Sequence, residues 1–241
     1  MAWVDDVAWL AWVAWAVLLS GMIAWALYFG RKGLWGRLMA PKAKANKARW
    51  QVEREKMAFY QKQERASTMR ILMLGDSLTA QGNWAMLLGR ADTVNYGIPG
   101  ETTWDLLERL EEVLATRPEV VSMMIGINDL VNMHAGGDAV RQRILEACKR
   151  IAEGGVKLYV VGLLPTTFDG AVNGMVEKTN SGLKAEAANA GYTFIDMTKD
   201  FARGGDLRAE LSYDGLHLNL EGYKIWAGHL GLHLPKEEGQ D

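Results

Sequence analysis

Short apolar runs alternate with stretches of helical period along most of residues 71–230. The runs predict strands buried on both faces, at 71–74, 93–96, 120–125, 157–163 and 192–195. The stretches that follow them predict helices at 83–90, 102–116, 138–153, 172–190 and 220–230. Strands that alternate with helices pack as a parallel sheet covered on both faces. We therefore predict an α/β chain with three α/β/α layers and a central parallel sheet of about five strands.

Four short polar segments stand at the ends of these predicted elements. Residues 75–79 (GDSLT) directly follow the first strand, 95–100 (NYGIPG) overlap the end of the second, and 126–129 (GIND) follow the third. Residues 214–217 (DGLH) precede the last helix. Ligands in parallel α/β folds bind beyond the carboxyl ends of the strands, so the four segments are predicted to share one site.

The order and spacing of these segments resemble those of the SGNH hydrolases, also called the GDSL esterase/lipase family. The resemblance covers about residues 68–233 and says nothing about the residues before them. It implies a serine esterase in which Ser77 is the nucleophile, His217 is the general acid and base, and Asp214 orients the imidazole. We place this hydrolase domain at residues 68–234, and residues 235–241 are a polar tail.

The resemblance also implies an oxyanion hole. Its donors would be the backbone N–H groups of Ser77 and Gly97 and the side chain of Asn128. The expected substrate is a small acyl ester or thioester, of the lipid, lysophospholipid or acetylated glycan type. No metal and no other cofactor is expected. The short gaps between the four segments leave little chain for a lid, which favours a short acyl group.

The remaining reactive residue types have structural interpretations. Asp76 and Asp129 are expected to make structural hydrogen bonds, and Cys148 lies in an apolar period typical of a core position. As the only cysteine, Cys148 excludes an intrachain disulfide. His229 and His233 have no acidic residue three positions earlier and are expected to lie at the surface or in packing contacts.

Two functions of other classes stay open at this stage. One is a metal-dependent hydrolase, since several of the polar residues offer oxygen or nitrogen ligands, although no second histidine stands in a paired spacing with His217. Its ligands would be Asp76, Asn128, Asp129, Asp214 and His217. The other is a catalytically silent module that binds an acyl or glycan ligand or tethers a partner.

The first part of the chain predicts a membrane anchor. After a short tail at 1–6, residues 7–30 form a run of 24 residues without a charge. A helix of that length spans about 36 Å, and the hydrocarbon core of a bilayer is about 30 Å thick. Residues 31–67 predict a basic helical stalk beside the membrane. The span or the stalk could also mediate self-association.

Charge is distributed unevenly along the chain. Residues 31–70 hold 12 Lys and Arg against 3 Asp and Glu, whereas residues 71–241 hold 15 against 24, a net charge of −9. An acidic body repels phosphates, which argues against a nucleic-acid partner. The basic residues follow the span, so the positive-inside rule favours a single-pass protein with a cytoplasmic hydrolase domain, and the periplasmic or extracellular side is the alternative.

Overall fold

The computed structural model describes residues 70–235. The predicted tail 1–6, membrane span 7–30 and stalk 31–67 lie outside the described residues, as do all but the first of the tail residues 235–241. Within the described part of the chain, no helix combines the length and the apolar character that a membrane crossing requires.

Five parallel strands form the central sheet, in the order β2-β1-β3-β4-β5. Their bounds are Ile71–Gly75 (β1), Thr93–Gly97 (β2), Val120–Met124 (β3), Lys157–Val161 (β4) and Thr193–Ile195 (β5). Strands β1 and β3 are buried at every position, as expected of inner strands covered on both faces. The predicted α/β fold with a parallel sheet of about five strands is confirmed.

Helices cover the sheet on both sides and complete three layers. Their bounds are Ser77–Ala80 (α1), Trp84–Leu88 (α2), Thr103–Leu114 (α3), Ile127–Val131 (α4), Gly137–Glu153 (α5), Gly170–Glu186 (α6), Thr198–Phe201 (α7) and Leu220–Gly231 (α8). Helices α3, α5 and α6 pack side by side, and α2 packs on α8. Cys148 of α5 is fully buried in the core, as predicted.

The segment between β5 and α8 holds elements that the sequence pattern did not predict. They are a short hairpin, Ala202–Arg203 (β6) with Asp206–Leu207 (β7), and a 3-10 turn at Ala209–Leu211, after α7. Helix α1 was also missed, and the predicted helix 83–90 is the shorter α2. These elements have two to five residues each, too few for a hydrophobic period to show.

An aromatic cluster holds α1 in place. Trp84 and Trp226 meet edge to face with ring centroids 4.6 Å apart, and both are buried. The Trp84 indole N–H donates to the carbonyl of Thr79 at 2.8 Å, and the Tyr223 hydroxyl donates to the carbonyl of Leu78 at 2.7 Å. Both acceptors belong to α1, so α2 and α8 together fix the helix that begins with Ser77.

Candidate active site

Ser77 stands at the first position of α1, immediately beyond the carboxyl end of β1. The chain turns at Gly75, whose φ is +155° and where a Cβ would lie 2.1 Å from the carbonyl oxygen of Met124. Asp76 caps the helix because its Oδ1 accepts from the N–H of Leu78 at 3.0 Å. Only glycine fits before this turn, and the turn presents Ser77 at the edge of the sheet.

The structure brings Ser77, His217 and Asp214 into one hydrogen-bonded chain. His217 Nε2 lies 2.9 Å from Ser77 Oγ, and His217 Nδ1 lies 2.6 Å from Asp214 Oδ2. A carboxylate only accepts hydrogen bonds, so Nδ1 carries the ring proton and Nε2 is free to accept from the serine hydroxyl. This arrangement can deprotonate Ser77 as it attacks an electrophile.

The loop at residues 212–218 sets the orientation of His217. Ser212 and Leu218 form a β-bridge, and the Ser212 hydroxyl donates to the carbonyl of His217 at 2.6 Å. Gly215 has φ of +86°, and a Cβ there would lie 2.1 Å from Thr167 Oγ1. The loop is therefore closed on itself, and its glycine allows close contact with the segment after β4.

Asp214 is held as a carboxylate by the hydrogen bonds that it accepts. Its Oδ1 accepts from the backbone N–H groups of Leu216 at 3.0 Å and His217 at 2.7 Å. Burial opposes ionisation, but the hydrogen bonds from His217 and the two N–H groups outweigh it and keep the pKa of Asp214 below its ordinary value. The side chains of Asp214 and His217 are 42% and 21% exposed, so this site is shallow.

Asn128 lies at the same edge, in α4 directly after β3. Its side chain is buried, its Nδ2 donates to the carbonyl of Glu101 at 2.9 Å, and its Oδ1 accepts from Asn132 Nδ2 at 3.0 Å. An amide nitrogen carries two hydrogens, so one N–H of Asn128 is left to donate to a ligand.

Gly97 differs from the expectation. Its N–H donates to Asn95 Oδ1 at 2.9 Å and is therefore not available to an oxyanion. A glycine is needed at this position for another reason: a Cβ would lie 2.3 Å from the backbone nitrogen of Ala80, so β2 packs directly on α1. The predicted donor role of Gly97 is wrong, because residue type alone does not show where an N–H points.

Gly100, unlike Gly97, has a backbone N–H that is available as a donor within the described residues. It follows β2 in a loop with φ of +78°, and none of the described residues accepts a hydrogen bond from its N–H. The next residue, Glu101, is the one whose carbonyl accepts from Asn128. The Gly100 N–H is therefore an unused donor one residue from the Asn128 contact. The backbone N–H of Ser77 is likewise unused among residues 70–235.

Three buried carboxyl groups lie behind the site. Glu101 pairs with Arg109 through two hydrogen bonds of 2.5 and 2.6 Å. Asp129 accepts from the N–H and hydroxyl of Thr103 and pairs with Arg143 at 3.0 Å, so its predicted structural role is confirmed.

Asp76 is the third of these carboxyl groups, and no cation of residues 70–235 pairs with it. It accepts a hydrogen bond from the N–H of Leu78, a contact of the structural kind that was expected, but its fully buried Oδ2 has no hydrogen-bond partner among the described residues. Burial, reinforced by the negative charges of Glu101 and Asp129, raises the pKa of Asp76 to about 7.

Two exposed side chains connect the loop of His217 to the helix of Ser77. The ring of Tyr213 stacks on the imidazole of His217 with centroids 5.8 Å apart and an interplanar angle of 12°. Its hydroxyl donates to Gln81 Oε1 at 2.6 Å, and Gln81 caps the end of α1. The sequence carried no signal for this contact, since the two residues are 132 positions apart.

The described residues 70–235 contain no group of three or more His, Cys, Asp or Glu side chains that could hold a metal ion. His229 Nε2 lies 2.8 Å from Asp200 Oδ2, an acidic partner that the sequence pattern did not predict. A cavity of about 780 Å³ lies between α6 and the segment after β5, and its lining includes Asn180, Lys184 and Asp196. Neither Ser77 nor His217 lines that cavity.

Comparison with known proteins places most of this domain in one family. A sequence profile of the GDSL-like lipase/acylhydrolase family matches residues 73–225. Platelet-activating factor acetylhydrolase IB subunit alpha1 of Rattus norvegicus is 28% identical over 164 residues, which cover 64% of this chain and 69% of that protein.

Two further matches are more distant. N-acylneuraminate cytidylyltransferase of Streptococcus agalactiae is 25% identical over 151 residues, 62% of this chain but 35% of that enzyme. The match therefore covers about a third of that relative's length. A GDSL-like lipase from Bacteroides thetaiotaomicron has the same fold, with a TM-score of 0.64 at 19% identity over 73% of this chain and 95% of that one.

Proposed function

The chain belongs to the GDSL-like lipase/acylhydrolase family and is a serine hydrolase acting on esters, and we propose that it works through an acyl-enzyme on Ser77. The observation that carries this proposal is the hydrogen-bonded chain from Ser77 through His217 to Asp214. A silent binding module has no need of a serine so paired with an imidazole and a carboxylate.

Acylation begins with attack of Ser77 Oγ on the carbonyl carbon of the ester. The hydroxyl proton passes to His217 Nε2, and the Asp214 carboxylate stabilises the imidazolium that forms. The tetrahedral intermediate then collapses, the bond to the alcohol oxygen breaks, and that oxygen takes the proton from His217. The products of this half-reaction are a free alcohol and an ester of Ser77.

Deacylation repeats these proton transfers with water. His217 takes a proton from the water as its oxygen attacks the acyl carbon, and returns a proton to Ser77 Oγ when the acyl bond breaks. A carboxylic acid leaves, and Ser77 is regenerated.

The oxyanion of both intermediates would be held by three donors. We assign them to the backbone N–H groups of Ser77 and Gly100 and to the side chain of Asn128. The N–H groups of Ser77 and Gly100 are unused within the described residues, and Asn128 has one N–H to spare. Fixed donors of this kind each contribute about 10²–10³ in rate.

We propose a short acyl group as the one that is transferred. The exposure of Asp214 and the partial exposure of His217 support this, because a shallow site offers little buried surface to a long chain. The 28% identical relative is named as an acetylhydrolase, which supports the same choice.

We further propose that residues 7–30 anchor the enzyme in a membrane as a single span with the domain in the cytoplasm. The uncharged run and the Lys and Arg residues after it support this orientation. The stalk would then keep the site near the bilayer, and the span or the stalk could bring two copies together.

A series of p-nitrophenyl esters tests the proposal on the full chain in detergent. We expect acetate and butyrate to be hydrolysed faster than decanoate, with no turnover by Ser77→Ala and no loss of activity in EDTA. Faster hydrolysis of decanoate would contradict the short acyl group. Activity in Ser77→Ala would contradict the nucleophile, and loss of activity in EDTA would favour the metal-dependent alternative.

A further inference from the structure

Most of the exposed large apolar side chains of the described residues gather at one edge of the domain. Seven such side chains are exposed between residues 70 and 235, and five of them lie in segments at the carboxyl edge of the sheet, where Ser77 stands. We call these five the apolar rim: Trp104, Met133, Phe168, Tyr213 and Leu220. Each is between 54% and 66% exposed.

One half of the apolar rim adjoins the loop that carries His217. Tyr213 stacks on the imidazole itself. Phe168 approaches the same loop, since a Cβ on Gly215 would lie 3.4 Å from its ring. Leu220 is the first residue of α8, three positions after His217.

The other half adjoins the proposed oxyanion donor Asn128. Met133 follows Asn132, whose side chain donates to Asn128 Oδ1. Trp104 follows Thr103, which holds Asp129 through two hydrogen bonds of 2.6 and 2.8 Å. Residues of the rim therefore stand in the segments that hold His217 and in those that contact Asn128 and Asp129.

Aromatic and long aliphatic side chains exposed together fit an apolar partner. Burial of such side chains away from water is favourable, and aromatic residues are favoured at the boundary between lipid and water. The body has a net charge of −9 over residues 71–241, so contact with a membrane would depend on these apolar side chains and not on attraction to anionic lipid.

The chain outside the described residues favours a bilayer as that partner. The uncharged run 7–30 is long enough to span a membrane, and 39 residues separate it from Arg70, which directly precedes β1. A helix of 39 residues would reach about 58 Å, whereas a compact domain of this size is about 40 Å across. The connection joins the edge opposite Ser77, and this reach lets the edge with Ser77 meet the same membrane.

We propose that the apolar rim docks on the lipid surface and that the substrate is an ester whose alcohol part is anchored in that bilayer. This inference rests on the proposed function and specifies its substrate class. The short acyl group would leave as a carboxylic acid that dissolves in water, and the long apolar alcohol would stay in the membrane. The rim would bring Ser77 to the depth at which such an ester bond lies.

The test compares two acetate esters on the full chain reconstituted in phosphatidylcholine vesicles. One is hexadecyl acetate within the vesicles, and the other is soluble p-nitrophenyl acetate. The rim variants are Met133→Glu and, as a second position, Phe168→Glu. Met86→Glu is the matched control, since Met86 is 64% exposed and Met133 66%, but Met86 lies on α2 outside the rim.

We expect the ratio of turnover of the vesicle-borne ester to turnover of the soluble ester to fall at least about tenfold in both rim variants. Each variant loses one apolar contact with the membrane. The ratio should stay within about twofold in Met86→Glu, because Met86 lies outside the apolar rim and would not contact the membrane. An unchanged ratio in both rim variants, or an equal fall in the control, would overturn the proposal. So would a wild-type chain that hydrolyses only the soluble ester. Failure on both esters would instead overturn the proposed function.

Discussion

At the scale of single residues, the burial of the Asp76 carboxyl group costs free energy, and the group has no assigned role in the reaction. It caps α1 and lies beside the nucleophile, yet one of its oxygens is buried and accepts no hydrogen bond from the part of the chain that the structure describes. The neighbouring acids Glu101 and Asp129 are each paired with an arginine. Among these three carboxyl groups, Asp76 is therefore the one that is not paired with a cation among the described residues, and it adjoins the nucleophile.

The raised pKa of Asp76 predicts a pH-dependent effect of Asp76→Asn. Because the folded pKa is about 7 and the ordinary value is 3.8, its contribution to stability is fully present below about pH 4 and is lost as pH rises through 7. The amide cannot ionise, so the variant should gain stability relative to wild type between pH 4 and 8, by up to about 4 kcal/mol. Urea unfolding of residues 68–241 at several pH values measures this.

Asp92→Asn is a control of opposite sign. The hydrogen bond from Arg90 leads the effects that hold the pKa of Asp92 below its ordinary value, so its contribution is present at neutral pH and is lost in acid. That variant should be less stable than wild type at pH 7, and the difference should shrink as pH falls. If the difference in unfolding free energy between Asp76→Asn and wild type did not vary with pH, Asp76 would lack the raised pKa that its burial predicts.

Asn128 gives a prediction about catalysis. Asn128→Ala removes the proposed oxyanion donor and should lower kcat about 10²–10³-fold with little change in KM. Asn132→Ala removes only the bond to Asn128 Oδ1 and should lower kcat much less. Steady-state hydrolysis of p-nitrophenyl acetate by both variants measures this. Equal losses in the two would mean that Asn128 acts only through the packing of α4.

At the scale of elements, the loop of His217 and the helix of Ser77 come from residues 140 positions apart and must be held together. The bond from Tyr213 to Gln81 joins them outside the catalytic chain. We predict that Tyr213→Phe lowers kcat severalfold, because the loss of one such bond is worth about 1 kcal/mol. The phenyl ring keeps its stacking on His217.

A double-mutant cycle with Gln81→Met separates the bond from the side chains that make it. If the bond acts as a unit, the double variant should lose no more activity than Tyr213→Phe alone. Fully additive losses would show that each residue acts independently and that the bond does not position the loop.

Elements with strong patterns could be predicted from the sequence, and short ones could not. Strands β1 to β3 were placed to within one residue at each end because strands buried on both faces read as continuous apolar runs. The hairpin β6–β7 was missed although Gly204 and Gly205, with φ of +64° and +93°, are a turn signal. Strands of two residues are too short to show an alternation of apolar and polar residues on either side of such a turn.

The part of the site that could be predicted is the part whose residues belong to motifs with a known chemical role. The residues Ser77, Asp214 and His217 were named from short motifs, and the structure brings them together. The assignment of Gly97 failed because its N–H bonds to Asn95, a contact that spacing does not reveal. Asn95 also donates to carbonyls of α1 and of Gly82 after it, so it organises this region although the sequence assigned it no role.

At the scale of the whole molecule, the chain joins an acidic enzyme domain to a basic segment and an uncharged run. We predict that a reporter fused at the C-terminus will lie in the cytoplasm: green fluorescent protein should fluoresce there, and alkaline phosphatase should be inactive. Active alkaline phosphatase would place the domain on the other side of the membrane.

A fusion from which residues 1–30 are removed is the matching control for anchoring. It should leave the membrane fraction while the full-length fusion stays in it, since the remaining chain lacks the run that spans about 36 Å. Membrane association of both fusions would show that residues 7–30 are not what anchors the enzyme.

The central claim is that Ser77 forms the covalent intermediate, and active-site labelling tests it most directly. The full chain is treated with a fluorophosphonate, digested, and the modified peptide is identified by mass spectrometry. We predict a single adduct on Ser77, loss of esterase activity in proportion to labelling, and no adduct in Ser77→Ala or after the proton acceptor is removed in His217→Ala. An adduct on another serine, or full activity with Ser77 labelled, would contradict the account.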